Sequence, residues 1–166
     1  MIRFAWIKGA SFSQYEFSLL CDAVGLANKA VSTEDFRRFL KELNEPKIST
    51  AFGPTNVIQM SVSKYSPWNP FTSAVARTDN GVIYLNRKRF RIEPYLPKKL
   101  GNAQFTDEDI SHARQLLAAA IAGTLCHEYC HVLGFEHTSN REAYLERDTP
   151  YKVGDMVEMI AKNLVA

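Results

Sequence analysis

The chain has 166 residues, with 23% charged residues and a formal net charge of +2. That length fits one domain with a real core, and so small a net charge gives no large field to recruit nucleic acid or a membrane surface. No internal repeat or low-complexity tract divides it, and no apolar run reaches the ~20 residues of a membrane span.

Met1–Gly9 reads as a first strand and not as a signal peptide, because Arg3 and Lys8 break its apolar stretch. The expectation is a protein that is cytoplasmic as synthesised and has no pro-segment, or that leaves the cell by a route needing no signal peptide. From Ser11 to about Leu43 the pattern is helical, with Phe17, Leu20, Val24 and Ala27 at helical spacing. Ser32-Thr33-Glu34-Asp35 has the composition of an N-terminal cap for a second helix carrying Phe36, Phe39, Leu40 and Leu43. Residues 44–55 read as loop. Asn56–Val62 alternates as a strand, and Ser66–Pro70 is rich in turn formers.

Thr72–Thr78 and Val82–Asn86 flank Asp79-Asn80-Gly81, which supplies the positive φ angles of a tight hairpin. Residues 87–105 carry Arg87, Lys88, Arg89, Arg91, Lys98 and Lys99 and read as a solvated basic loop. If that loop overlooks a cleft, it favours acidic side chains in the ligand.

Thr106, followed by Asp107, Glu108 and Asp109, opens a long helix that runs to about Leu133. Ile110, Leu117, Ile121 and Leu125 form its core stripe. Ala118, Ala119, Ala120, Ala122 and Gly123 keep its middle slim, which suits close approach to a sheet. The end of this helix holds the chemistry. Residues 127–137 read H-E-x-x-H-x-x-G-x-x-H and contain three of the four histidines in the chain. Residues four apart on an α-helix differ by about 40° around the axis and roughly 6 Å along it. His127 and His131 therefore project from one face, close enough to grip one metal ion. Glu128 flanks the metal and suits a general base better than a third ligand. Gly134 suits the left-handed turn that ends a helix, after which His137 can return as a third nitrogen ligand. Three imidazoles leave one position of a tetrahedral zinc ion open, the catalytic and not the structural arrangement.

Other readings give these residues less to do. A chance match leaves the glycine and third histidine unexplained. A purely structural zinc leaves Glu128 idle and lacks a fourth protein ligand, and an oxygen-activating iron or copper site also leaves Glu128 without a role. Cys126 and Cys130 each precede a zinc histidine and point about 100° away from the metal face. They read as small buried apolar residues and not as ligands or a disulfide. His112 reads as a surface histidine.

The motif resembles that of the metzincin metalloproteases. The resemblance is strong over residues 125–137 and architectural elsewhere. It implies an α+β, metzincin-like zincin fold: a twisted mixed sheet packed on helices, with an upper part over residues 1–134 and a small C-terminal part over 135–166. It also implies one catalytic Zn2+ held by His127, His131 and His137, with Glu128 as general base. The activity implied is that of a zinc-dependent endopeptidase acting as a monomer on protein or peptide substrates, with neither nucleic acid nor membrane as partner. A catalytically inactive zinc-binding module that holds a peptide or partner protein in the cleft is the alternative. By the same resemblance, the hairpin near Gly81 is a candidate rim that pairs with extended substrate, the other reading being an ordinary internal hairpin.

After His137 the chain is polar through Arg147. Asp148-Thr149-Pro150 then reads as a cap with proline at the first helical position, opening a final helix. Some metzincins use a tyrosine near the metal to stabilise the transition state, and Tyr151 is the candidate, with Tyr144 also within reach. Met156 falls in a helical pattern and reads as a core methionine more readily than as the methionine of a metzincin turn.

Overall fold

The structure is a computed structural model that describes residues 2–6, 12–65, 76–98, 104–137 and 148–166. The fold is mixed α+β. Strand β1 (Ile2–Trp6) leads to helices α1 (Gln14–Val31), α2 (Glu34–Leu43) and α3 (Pro46–Ala51). Strands β2 (Ile58–Tyr65), β3 (Ala76–Asp79) and β4 (Val82–Asn86) follow, then helices α4 (Asp107–Val132) and α5 (Thr149–Asn163). The order within the sheet is β1-β2-β4-β3. β1, β2 and β4 run parallel, and β3 pairs antiparallel with β4 at an edge. Among the described residues no strand lies beyond β3.

Local chemistry explains most of the boundaries. Ser13 and Glu16 form a capping box that starts α1, and Thr106 and Asp109 form another that starts α4. The Thr33 hydroxyl accepts from Phe36 N at the start of α2. Asn80 and Gly81 adopt φ of 48° and 74°, so Asp79 and Val82 pair directly across a two-residue turn. Residues 72–75 and 66–70 lie outside the described residues.

α4 is the axis of the molecule. Every residue from Leu117 to Cys126 is buried, so this helix is covered on all sides. β3 and β4 lie against it, α1 packs along it, and α5 runs beside it. Burial of Leu117, Ile121 and Leu125 contributes about 1.5–3 kcal/mol each. Toward its C-terminal end, edge-on rings link α4 to the early helices, with Phe52 lying 5.7 Å from both Phe36 and Tyr129.

Several expectations need correction. Residues 44–55 are not all loop, because Pro46 at the first turn starts the short helix α3. Phe17 and Ile110 are exposed, Ile110 because it lies near the start of α4, ahead of that helix's first buried residue, Ala113. At Gly123 the slim middle of α4 admits another helix. A Cβ on Gly123 would lie 2.6 Å from Gly154 O, and one on Gly154 would lie 2.9 Å from His127 Cβ. The two helix backbones therefore cross where neither has a side chain. The basic stretch is also not all solvated. It contains 3-10 turns at Arg87–Phe90 and Glu93–Tyr95. Arg89 turns inward and donates to Ala120 O at 2.7 Å and Thr124 Oγ1 at 2.8 Å on α4. No helix among the described residues is long and apolar enough to cross a membrane.

Candidate metal centre

α4 ends as its sequence leads one to expect. Gly134 takes φ of +87°, Phe135 N donates to Cys130 O at 3.1 Å and Gly134 N donates to His131 O at 2.9 Å. This is a Schellman ending, which satisfies the last carbonyls and reverses the chain. Lys47 of α3 adds its ammonium to Leu133 O, a favourable place for a cation at a helix C-terminus. The reversal brings His137 back over the last turns of α4.

The three histidines converge. Nε2 of His131 lies 3.3 Å from Nε2 of His127 and 3.1 Å from Nε2 of His137. One ligand atom from each lies within 4.8 Å of the others, so the trio can hold a metal ion. Two nitrogens bound at 2.0–2.1 Å to a tetrahedral ion lie about 3.3–3.4 Å apart, close to the separations here.

The protons are also arranged for ligation. His131 Nδ1 lies 2.6 Å from Phe135 O, and His137 Nδ1 lies 2.8 Å from Asp148 Oδ2. Both partners can only accept, so Nδ1 carries the hydrogen and Nε2 keeps its lone pair. The His127 ring bonds to the backbone of Pro150, which has no N–H and so accepts through its carbonyl. Burial is the main force pushing His127 down to about 4. The neighbouring His131 and His137 add to that push, and Asp148 and Pro150 oppose it. At neutral pH His127 is therefore an uncharged ring able to bind metal.

Glu128 is buried beside the trio. Thr78 of the edge strand β3 donates to Glu128 Oε2 at 2.8 Å, and its hydroxyl oxygen is 3.0 Å from Glu128 O. Burial pushes the Glu128 carboxyl above the usual glutamate range, against the pull of Thr78, His131 and His137. A cleft of about 550 Å³ opens between β3 with its turn and the end of α4, and Thr78, Glu128, His131 and His137 line it. None of the described basic residues between 87 and 98 lines this cleft.

The remaining candidates also find places. The Tyr151 ring stacks on His137, with centroids 4.7 Å apart, and meets His127 edge-on at 4.7 Å. Met156 sits in helical backbone within α5 and packs on the core, so it is not the methionine of a turn. Cys126 and Cys130 are buried and free, with Cys130 Sγ donating to Cys126 O at 3.3 Å. His112 is exposed. Tyr144 lies outside the described residues.

Sequence reasoning missed Thr78, Lys47, and the parts that Asp148 and Pro150 play. The first two come from other elements and leave no local spacing. Asp148 and Pro150 read only as a helix start, and that local role hides their reach to the histidines. Gly154 was the available signal, since a glycine inside a helix costs about 1 kcal/mol relative to alanine and so implies a packing reason.

Family models, curated proteins and solved structures were each compared with this chain, and none matches it.

Proposed function

We propose that this chain is a zinc-dependent endopeptidase of metzincin type. One observation carries the reading: three Nε2 atoms converge at metal-binding separations, with a buried glutamate beside them, and Glu128, His131 and His137 line a cleft. His127, His131 and His137 would hold the ion. Zinc there would supply an electrophile for a carbonyl and would acidify water toward a pKa of ~7. The long helix, glycine reversal and third histidine beneath an antiparallel edge strand favour a metzincin-like arrangement, although a helix and not a methionine turn lies beside His127.

Glu128 acts as general base. Its carboxyl is partly desolvated and one oxygen is fixed by Thr78, which leaves the other to take a proton from water and pass it to the leaving amine. Among the described residues no strand covers the outer edge of β3, an edge that suits an extended protein or peptide substrate. Tyr151, packed on two of the histidines, is assigned to support of the oxyanion. The enzyme is assigned as a monomer, with neither nucleic acid nor membrane as partner.

Two variants test the division of labour. Glu128→Gln should keep near-stoichiometric zinc and lose cleavage of an unfolded protein substrate by at least ~10²-fold. His137→Ala should lose zinc affinity first, and excess zinc should restore part of its activity. Zinc per chain and peptide cleavage are measured together. A Glu128→Gln protein that cleaves like the parent, or that sheds its zinc, sinks the assignment. A parent that holds zinc and a peptide without cutting it is a binding module.

A further inference from the structure

All three histidines come from α4 and the loop after it, but two of the groups that orient their rings belong to α5. Asp148 caps that helix, with Tyr151 N donating to Oδ1 at 3.5 Å. Its other oxygen accepts from His137 Nδ1 at 2.8 Å. His137 is the ligand that needs this most, because it sits on a loop and its ring is exposed, whereas His127 and His131 are fixed on α4. The Asp148 carboxylate is only 15% exposed and the His137 side chain 41%, so the contact is sheltered from solvent on the carboxylate side alone. Tyr151, three residues on, stacks on the same imidazole. One end of α5 thus holds the His137 ring by a hydrogen bond and by a stacked ring.

We propose that Asp148 is a positioning residue of the metal centre, which sets the tautomer and angle of His137 and thereby much of the metal affinity. This rests on the metal-binding reading above and not on peptidase activity. An acceptor of this kind is worth about 10–100-fold in metal affinity.

The test must separate orientation of His137 from capping of α5. Asp148→Ser keeps a good cap but is too short to reach the imidazole. Asp148→Asn keeps both a cap and an oxygen that can accept. Zinc affinity is measured with zinc ion against a chromophoric chelator, alongside far-ultraviolet circular dichroism. Asp148→Ser should bind zinc 10–100-fold more weakly than the parent with unchanged helicity, and Asp148→Asn should recover most of that loss. Parent-like affinity in Asp148→Ser overturns the proposal, as does equal weakening in both variants with loss of helix. A parent that binds no zinc overturns the metal reading together with this one. A parent that binds zinc tightly but cleaves nothing overturns only the peptidase.

Discussion

Thr78 shows how much a single hydroxyl can carry. It is 50 positions from Glu128 in sequence and holds one carboxylate oxygen in place. A hydrogen bond to a charged group is worth about 1.5–3 kcal/mol, so Thr78→Val should lower kcat roughly 10–100-fold, with KM and zinc content little changed. Thr78→Ser should restore most of the rate. A valine variant as fast as the parent would remove Thr78 from the site. The thiols give a second reading at this scale. Burial pushes Cys126 up to about 12 and drives Cys130 upward as well, while Cys21 is exposed. Iodoacetamide near pH 8 should label the native protein at Cys21 alone, and all three cysteines should react after unfolding; rapid native labelling of Cys126 would contradict the packing of α4. His127, His131, Glu128 and the buried cysteines were legible in the sequence because helical geometry fixes their relations within a few turns, and His137 because Gly134 marks the reversal that returns it. Thr78 was not, because nothing local ties a strand hydroxyl to a distant carboxylate.

At the scale of elements, the crossing of α4 and α5 is the joint on which the site depends. Gly154→Ala would drive a methyl group against His127 Cβ and Gly123 O. It should destabilise the fold by about 1–3 kcal/mol, as overpacking does, and weaken zinc binding because the collision falls on a proposed ligand. Gly25 in α1 is the control, since nothing lies within 4 Å of a Cβ added there. Gly25→Ala should be neutral or stabilising by up to about 1 kcal/mol. Urea titrations of both variants check the pair, and equal effects would mean that the crossing is not tight. Most helix starts were legible through Thr33, Thr106 and Asp148, whose caps are local chemistry. α3 was hidden because six residues between Pro46 and Gly53 are too few to show a period. The partner of each glycine was hidden because pairing between helices has no counterpart in local pattern.

For the whole molecule, the core is built without the three histidines. The buried faces of α1, α2, β2 and β4, with Leu19, Leu20, Phe36, Met60 and Ile83, meet α4 and each other. Removing metal with a chelator should abolish cleavage and leave far-ultraviolet circular dichroism near that of the loaded protein; a collapse of the spectrum at room temperature would refute this. Acid should act on the metal-free protein through His127, whose pKa lies at about 4 in the fold against an ordinary 6.5. Between those values the unfolded chain takes a proton that the fold refuses. Stability present above pH 6.5 is therefore lost as pH falls toward 4. Urea midpoints at pH 7 and pH 5 should differ in that direction, and by less in His127→Gln. The mixed α+β class followed from alternating and helical stretches along the chain. The strand order did not, because the parallel pairing of β1 with β2 spans three intervening helices and alternation carries no record of direction.

The site's supports are spread unevenly along the chain, and this has a consequence for biosynthesis. During translation the H-E-x-x-H helix emerges before Asp148, Pro150 and Tyr151, the residues that hold the rings of His127 and His137. A nascent chain that ends just after His137 already contains every ligand, yet it lacks Asp148, Pro150 and Tyr151. On the proposed reading such a chain would hold metal loosely and cut poorly. Hydrolytic competence would then wait until α5 has packed beside α4, when the segments around that helix are no longer an unfolded substrate for it.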